Sequence, residues 1–404
     1  MTEELETALR RTLRDAADRA PKAPAGIANP GGRRVRRVPP RAMLAAAAVI
    51  VAVTGTAVGV RTVLTDPARR VSAGRTAAAP SPSLHPVGKL RLPPIEQVWP
   101  GVAVRLPKTL KNGRVFHPAA IIDAHTIAVT TDASFEKADA LYAYDLRTNA
   151  ARRITDIVTP PGTKLFASDF IGGGGYVAWW LHDGTRTEVW AAPVAGGPAR
   201  LVGETPGTGP SQLAIVGTEA VWSPGDTGGV YRAPLAGGGR ARMVPGSASM
   251  HLLQWPWIGG PPALLRAPIK DNPGVAFAHI ENAVTGDKRS ARLTDQAIWR
   301  CGPTWCVGAD DHFVTEAQRR DGGGRRAIPP TPRGRLLLPP ILDRFVITVP
   351  SGGTVAVYDL RTGKIGDLGV RTSGGYVVSQ RPSSPLYWTT TATGYVVVDL
   401  AAIR

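Results

Sequence analysis

Five stretches of this chain share one shape: a short run of strand-forming residues, a tight turn, and a basic or apolar return. They are LYAYDLRTNAARRI (141–154), VWAAPVAGGPARLV (189–202), VYRAPLAGGGRARMV (230–244), FAHIENAVTGDKRSARL (277–293) and VAVYDLRTGKIGDL (355–368). Their turn residues Asn149, Gly197, Gly238, Gly286 and Gly363 are spaced by 48, 41, 48 and 77. The last gap fits two units, with Gly322-Gly323-Gly324 as a degenerate turn between them. The mean step is then about 43 residues, and periods of about 40–45 with four strands each mark propeller blades. Further strand candidates precede the hairpins, among them 119–131, 175–181, 212–223, 344–349 and 385–391, rich in β-branched and aromatic residues. Glycine (46) and proline (37) are abundant, which suits many short strands joined by turns.

The expectation is an all-β, seven-bladed β-propeller over 95–404; six or eight blades also fit the spacing. GYVVVDL (394–400) matches the third strand of a unit, and the sequence ends at Arg404 without a fourth. VAVRL (102–106) stands just before the first unit and can supply it, closing the ring and removing its exposed edges. The competing architecture is a pair of stacked β-sandwiches, which would show turn signals every 8–12 residues without the long period.

Ahead of the repeat, residues 42–60 carry no charge and read as the core of one transmembrane helix over 42–64. Gly55 and Gly59 form a GxxxG pair that can pack two such helices. Arg33, Arg34, Arg36, Arg37 and Arg41 precede the span more densely than Arg61, Arg69 and Arg70 follow it. The positive-inside rule then puts residues 1–41 in the cytoplasm and the large domain outside. A cleaved signal peptide is the alternative, and it exports the same domain. Leu5, Leu9, Leu13, Ala16 and Ala20 share one face of a short amphipathic helix, which can dock a cytoplasmic partner or lie on the membrane surface. Residues 65–94 are a Pro/Ala-rich linker.

The net charge of +17 is uneven: residues 1–92 hold +10 and residues 93–404 only +7. That distribution argues against nucleic acid as the partner. Cys301 and Cys306 flank a Gly-Pro-Thr-Trp loop that would oppose them in a hairpin, so a structural disulfide is expected. The histidines are scattered, and Asp310-Asp311-His312 reads as a solvated loop. There is no Gly-x-Ser-x-Gly elbow, and no Lys-Ser/Thr follows the glycine run 172–175. The reading is therefore non-catalytic, with no cofactor and no metal. Candidate binding surfaces are Trp255 and Trp257, in a segment that reads as irregular, and Arg319, Arg320, Arg325 and Arg326, in an arginine-rich loop facing a wall polymer, a headgroup or solvent.

At "YDLRTG", "APVAGGPARLV" and IEQVWPGVAVRLP (95–107) the chain resembles the TolB-like/WD40-like propeller group. More narrowly, it is similar to actinobacterial single-pass membrane proteins with such an ectodomain. The Gly-His and Trp-Asp landmarks of true WD40 blades are absent. The resemblance implies a membrane-anchored binding or scaffold module for a protein or cell-wall ligand. Two alternatives stand beside it: a sigma-factor-linked regulator coupling an outside ligand to residues 2–20, and a polysaccharide-acting enzyme.

Overall fold

The computed structural model describes residues 92–404 except 135–136, 158–165, 184, 208–209, 226, 261–274, 295–297, 310–314, 330–337, 350–353 and 372–382. The chain divides into two units, Met1–Ser81 and Pro82–Arg404, and every described residue belongs to the second. The expected cytoplasmic helix, its arginine flank (Arg33, Arg34, Arg36, Arg37, Arg41) and the span at 42–64 lie outside the described residues. Among the described residues, no helix is long and apolar enough to cross a membrane.

After a one-turn helix α1 (Ile95–Val98) come β1 (Ala103–Pro107) and then seven sheets. Sheet 1 holds β2 (Phe116–Asp123), β3 (Thr126–Ser134), β4 (Lys137–Asp145) and β5 (Ala151–Asp156). Sheet 2 holds β6 (Ser168–Gly173), β7 (Tyr176–His182), β8 (Arg186–Pro193) and β9 (Arg200–Pro206). Sheet 3 holds β10 (Pro210–Val216), β11 (Glu219–Pro224), β12 (Tyr231–Pro234) and β13 (Arg242–Met243). Sheet 4 holds β14 (His251–Gln254), β15 (Trp257–Gly260), β17 (His279–Asn282) and β18 (Lys288–Ser290). The intervening β16 (Val275–Ala276) crosses to sheet 5 and pairs in parallel with β19 (Ile298–Cys301). Sheet 5 continues through β20 (Trp305–Ala309), β21 (Thr315–Arg319) and β22 (Arg326–Ala327). Sheet 6 holds β23 (Phe345–Thr348), β24 (Thr354–Asp359) and β25 (Ile365–Arg371). Sheet 7 joins β26 (Leu386–Thr390) and β27 (Gly394–Asp399) to β1.

One hydrogen bond recurs in all seven sheets. The residue that leaves the third strand donates its N–H to the turn ahead of the second. Leu146, Val194, Leu235, Ala283, Arg320, Leu360 and Leu400 donate to the carbonyls of His125, Gly175, Thr218, Pro256, Thr304, Arg344 and Pro385, at 2.8–2.9 Å. Sheets 6 and 7 are thereby matched to the second, third and fourth strands of the others. β1 pairs antiparallel with β27 from Ala103↔Val398 to Pro107↔Gly394 and fills the fourth place, as the sequence suggested. The sheet contacts begin slightly earlier than expected, because Asp367 N–H donates to Pro93 O and Pro94 bridges β25.

The ring is held by seven apolar clusters, one at each junction. Ile154, Trp179 and Ala192 join sheets 1 and 2, and Val202, Trp222 and Leu235 join sheets 2 and 3. The series continues to Phe116, Tyr144 and Tyr395, which join sheet 7 back to sheet 1. Each sheet is thus covered on both faces, so its central strands read as continuous apolar runs such as VAVY and YVVV. The glycine run 172–175 belongs to this packing. A Cβ on Gly172 would lie 2.1 Å from Ile121 O of sheet 1. One on Gly174 would lie 2.2 Å from Gly217 O of sheet 3.

The hairpin turns have a local cause. Asp145 and Asn282 accept two following backbone N–H groups each, and Asp359 accepts that of Arg361. The fifth residue of each turn then takes positive φ: Asn149 54°, Gly286 77° and Gly363 74°. Asn and Gly tolerate that region, so the D/N-x-x-T-G/N string is the turn's physical recipe. Beyond the turn, Arg152 on β5 donates to Val194 O and Ala195 O of sheet 2 (2.7 and 3.0 Å), and Arg200 on β9 to Ala236 O of sheet 3 (3.2 Å). The basic return strands therefore pin the next blade's turn.

Arg344 closes the C-terminus. It pairs with fully buried Asp359 at 2.8 Å and donates to Ile403 O at 2.6 Å. Burial opposes ionisation of Asp359, but bonds from Arg344, Thr362 and the Arg361 N–H outweigh it and hold the carboxyl below its usual range. A carboxyl lowered in the folded state contributes stability that is complete above its unfolded value of about 3.9 and is lost as pH falls through the lower folded value. Asp359→Asn is expected to cost about 3–5 kcal/mol at neutral pH and to flatten the acid limb of a stability–pH curve measured by denaturant unfolding. Cys301 and Cys306 are directly paired across β19 and β20, buried and joined by the expected disulfide. Replacing both with alanine should lower the unfolding free energy by about 2–4 kcal/mol, read from the urea midpoint.

Candidate functional site

The two faces of the ring differ. In sheets 1 to 5, the turns between first and second strands have two or three residues and those between third and fourth have five to seven. On the other face the connections vary widely, from two residues between β3 and β4 to eleven between β5 and β6 and seventeen between β22 and β23. Long insertions on one face of a repeat array are where binding residues gather.

On that face, where sheet 7 meets sheet 1, β2 presents His117 and β3 presents Asp132, with Nε2 to Oδ2 at 3.0 Å. Behind them, buried Tyr395 of β27 donates its hydroxyl to Phe116 O, and its oxygen lies 3.4 Å from His117 Nδ1. Burial and then the charge of Asp132 push the Tyr395 phenol up. Trp388 of β26 stands edge-on to Tyr395 at 5.4 Å and 6.2 Å from the His117 ring. The Asp132 carboxylate orients the ring through Nε2, and Nδ1 faces the Tyr395 oxygen at 3.4 Å. The groove offers a half-exposed imidazole beside a half-buried indole. Its wall is stiffened by Asp139. Burial opposes ionisation there too, but Thr131 (2.7 Å) and Arg114 Nη2, which reaches both carboxylate oxygens (2.7 and 2.8 Å), hold that carboxyl below its usual range.

Two further features lie in sheets 2 and 4. Trp180 Nε1 donates to Asp169, and its ring lies 6.1 Å from His182. In sheet 4, Gly259 and Gly260 floor a cleft of about 580 Å³. Its walls carry the pairs His279–Ser290 (2.9 Å) and Glu281–Lys288 (3.5 Å). Among the described residues, no group of three or more His, Cys, Asp or Glu is arranged to hold a metal.

The middle of the ring is crossed by a polar contact. Ser383, three residues ahead of β26, donates to Gln212 Oε1 at 2.9 Å. Sheets 3 and 7 are not neighbours, so this bond spans the interior.

The residues singled out from sequence do not form one surface. Trp255 and Trp257 are half-buried around the β14–β15 hairpin, not in an irregular segment. Trp255 packs between sheets 3 and 4, and Trp257 packs between sheets 4 and 5 under the Arg289 guanidinium at 4.1 Å. In the arginine-rich stretch, Arg319 and Arg325 are exposed as expected, and Arg320 is not. Arg320 is 5% exposed and donates to the carbonyls of Gly302, Ala278 and Phe277. It occupies the place of Leu146, Leu235 and Leu360, so hydrogen bonding replaces apolar contact there. Burial lowers its pKa to about 10. Arg325 pairs with Glu316 at 2.8 Å, Arg319 approaches Asp321 at 3.5 Å, and Arg326 stacks on Trp305 at 4.8 Å. The His117–Tyr395 groove escaped sequence reading because 278 residues separate its halves and only ring closure joins them. Arg320→Ala should cost about 3–5 kcal/mol in urea unfolding, since it removes a buried guanidinium that bonds Gly302 O within sheet 5 and the Phe277 and Ala278 carbonyls leading into sheet 4.

No family model matches this chain, and no curated protein does. Among solved structures, it is similar to the computationally designed Ika8 protein, at 13% identity over 73% of this chain and 98% of that one, with a TM-score of 0.38. It is similar to BamB from Moraxella catarrhalis at 13% identity over 71% and 85%, TM-score 0.36. It is also similar to an oligogalacturonate lyase in complex with manganese, at 13% over 73% and 89%, TM-score 0.42. None of these assigns an activity. Seven sheets, seven junction cores and a closing strand pair make the described unit a seven-bladed β-propeller.

Proposed function

We propose that the chain is a non-catalytic binding module, held outside a cell membrane by the span expected at 42–64, which takes a protein or cell-wall ligand on the face with the long connections. The observation that carries this reading is the Ser383–Gln212 contact across the ring. It links two non-adjacent sheets through neutral side chains, whereas an open axis lined by two facing carboxylates would have favoured a polysaccharide-acting enzyme. The His117–Trp388 groove adds support, since a half-exposed imidazole oriented by Asp132 stands 6.2 Å from a half-buried indole on that face.

The test is recovery of partners with the full chain from solubilised membranes. A partner held by the native chain should fall about tenfold or more with His117→Ala/Trp388→Ala, the loss typical of a central contact. Full retention would place the binding surface elsewhere and overturn the reading. A chain lacking residues 2–20 should recover the same partner; its loss would favour the transmembrane regulator. A polysaccharide-cleaving activity abolished by Asp132→Asn would establish the enzyme alternative.

A further inference from the structure

Sheet 4 is a short blade. Its strands have four, four, four and three residues, against eight, nine, nine and six in sheet 1. The chain path is the cause. Past Gly260 the chain crosses to sheet 5 as β16 and turns back through Phe277, whose φ is 57°. The outer strand of sheet 3 is short as well, with two residues in β13. Val221, Val244, Leu252 and Ile258 seal the junction of sheets 3 and 4. Beyond them it opens into the cleft of about 580 Å³ over Gly260, a size typical of small-molecule sites. By strand register Gly260, His279, Glu281, Lys288 and Ser290 share the face of Ile258, so they look into this junction. A Cβ on Gly260 would meet nothing closer than Ser249 O at 3.8 Å.

The register of sheet 3 sets the opposite wall. Val221 faces sheet 4, Arg232 lies opposite Val221, and Arg242 lies opposite Arg232. Glu219 shares that face and is taken by Arg232, while Glu281 lies 3.5 Å from Lys288. Arg242 is exposed and, among the described residues, has no acidic partner. The positive charge on these two walls therefore exceeds the negative. Ser290 holds His279 at Nδ1 (2.9 Å), which leaves Nε2 for a ligand. No Phe, Tyr or Trp among the described residues lines the cleft, so it offers charge and hydrogen bonds without a stacking face. We propose that the cleft binds a small hydroxylated carboxylate of the uronic-acid class. The ligand carboxylate is held by Arg242 and Lys288, and its hydroxyls meet Glu281, His279 and Ser290. The floor has no side chain, so the ligand rests on the Gly259–Gly260 backbone. The site lies apart from the His117–Trp388 groove and does not depend on it.

The test is calorimetric titration of the full chain with D-glucuronate, D-glucose and D-glucosamine. Glucuronate should bind, weaken as salt rises, and bind about tenfold or more tightly than the other two. Arg242→Gln/Lys288→Gln should lose about tenfold or more in affinity, because both charges are removed from exposed positions. Gly260→Leu should lose a similar factor by filling the floor, and Gly260 lies outside the positive-φ region, so its backbone accepts a side chain. Amide exchange at 279–281 should slow on binding, a readout that needs no substitution. A glucuronate-ended oligosaccharide that binds more tightly than the monomer assigns the ligand to a polymer end, and equal binding assigns the free acid. Absent glucuronate binding, equal binding of the three sugars, preference for glucosamine, undiminished binding by both variants, or unchanged exchange at 279–281 would overturn the proposal.

Discussion

The five-residue ladder between β1 and β27 is the constraint on which the remaining structure depends. Seven sheets can bury both of their faces only if the last lies against the first. Without β1, sheet 7 would expose the edge of β27, and the aromatic core of Phe116, Tyr144 and Tyr395 would lose its support. Gly394 shows how tightly the seam is drawn, since a Cβ there would lie 1.8 Å from Leu106 O. The groove formed by His117 and Trp388 exists because two segments from opposite ends of the domain are brought side by side.

Positive charge serves this architecture in a distributed way. The seven outer strands carry nine Lys/Arg against three Asp/Glu, most of the domain's net +7. An edge strand lined with arginine resists pairing with its own kind. Arg152 and Arg200 do more, because each guanidinium grips the turn of the following blade. The basic character of the domain thus follows from the repeat and is spread around the rim.

The repeat was legible because its turn chemistry is written locally. An acidic or amide residue, a threonine and a residue tolerant of positive φ give the same turn wherever they occur. The unit at 305–327 showed only a degenerate turn, and it holds Arg320 where four other blades have leucine. A buried arginine satisfied by three carbonyls cannot be told from a solvated one by composition, so Arg320 read as surface. Trp255 and Trp257 misled for a related reason. The intervening Pro256 and the glycines after them suggest irregular chain, yet two residues suffice for the β14–β15 turn. The disulfide was legible because six adjacent residues contain all of its geometry. The groove and the Ser383 contact were not, since each joins segments more than 150 residues apart.

The position of Pro93 determines how the domain bears a pull from its N-terminal side. The incoming chain is clamped on β25 through Pro93 and Pro94, and Ile95 and Trp99 are sunk in the core shared by sheets 6 and 7 before the chain reaches β1. Tension arriving along that chain is resisted first by these buried side chains on the rim. The ladder that shuts the ring lies behind them in the load path and feels strain only after α1 has been torn free.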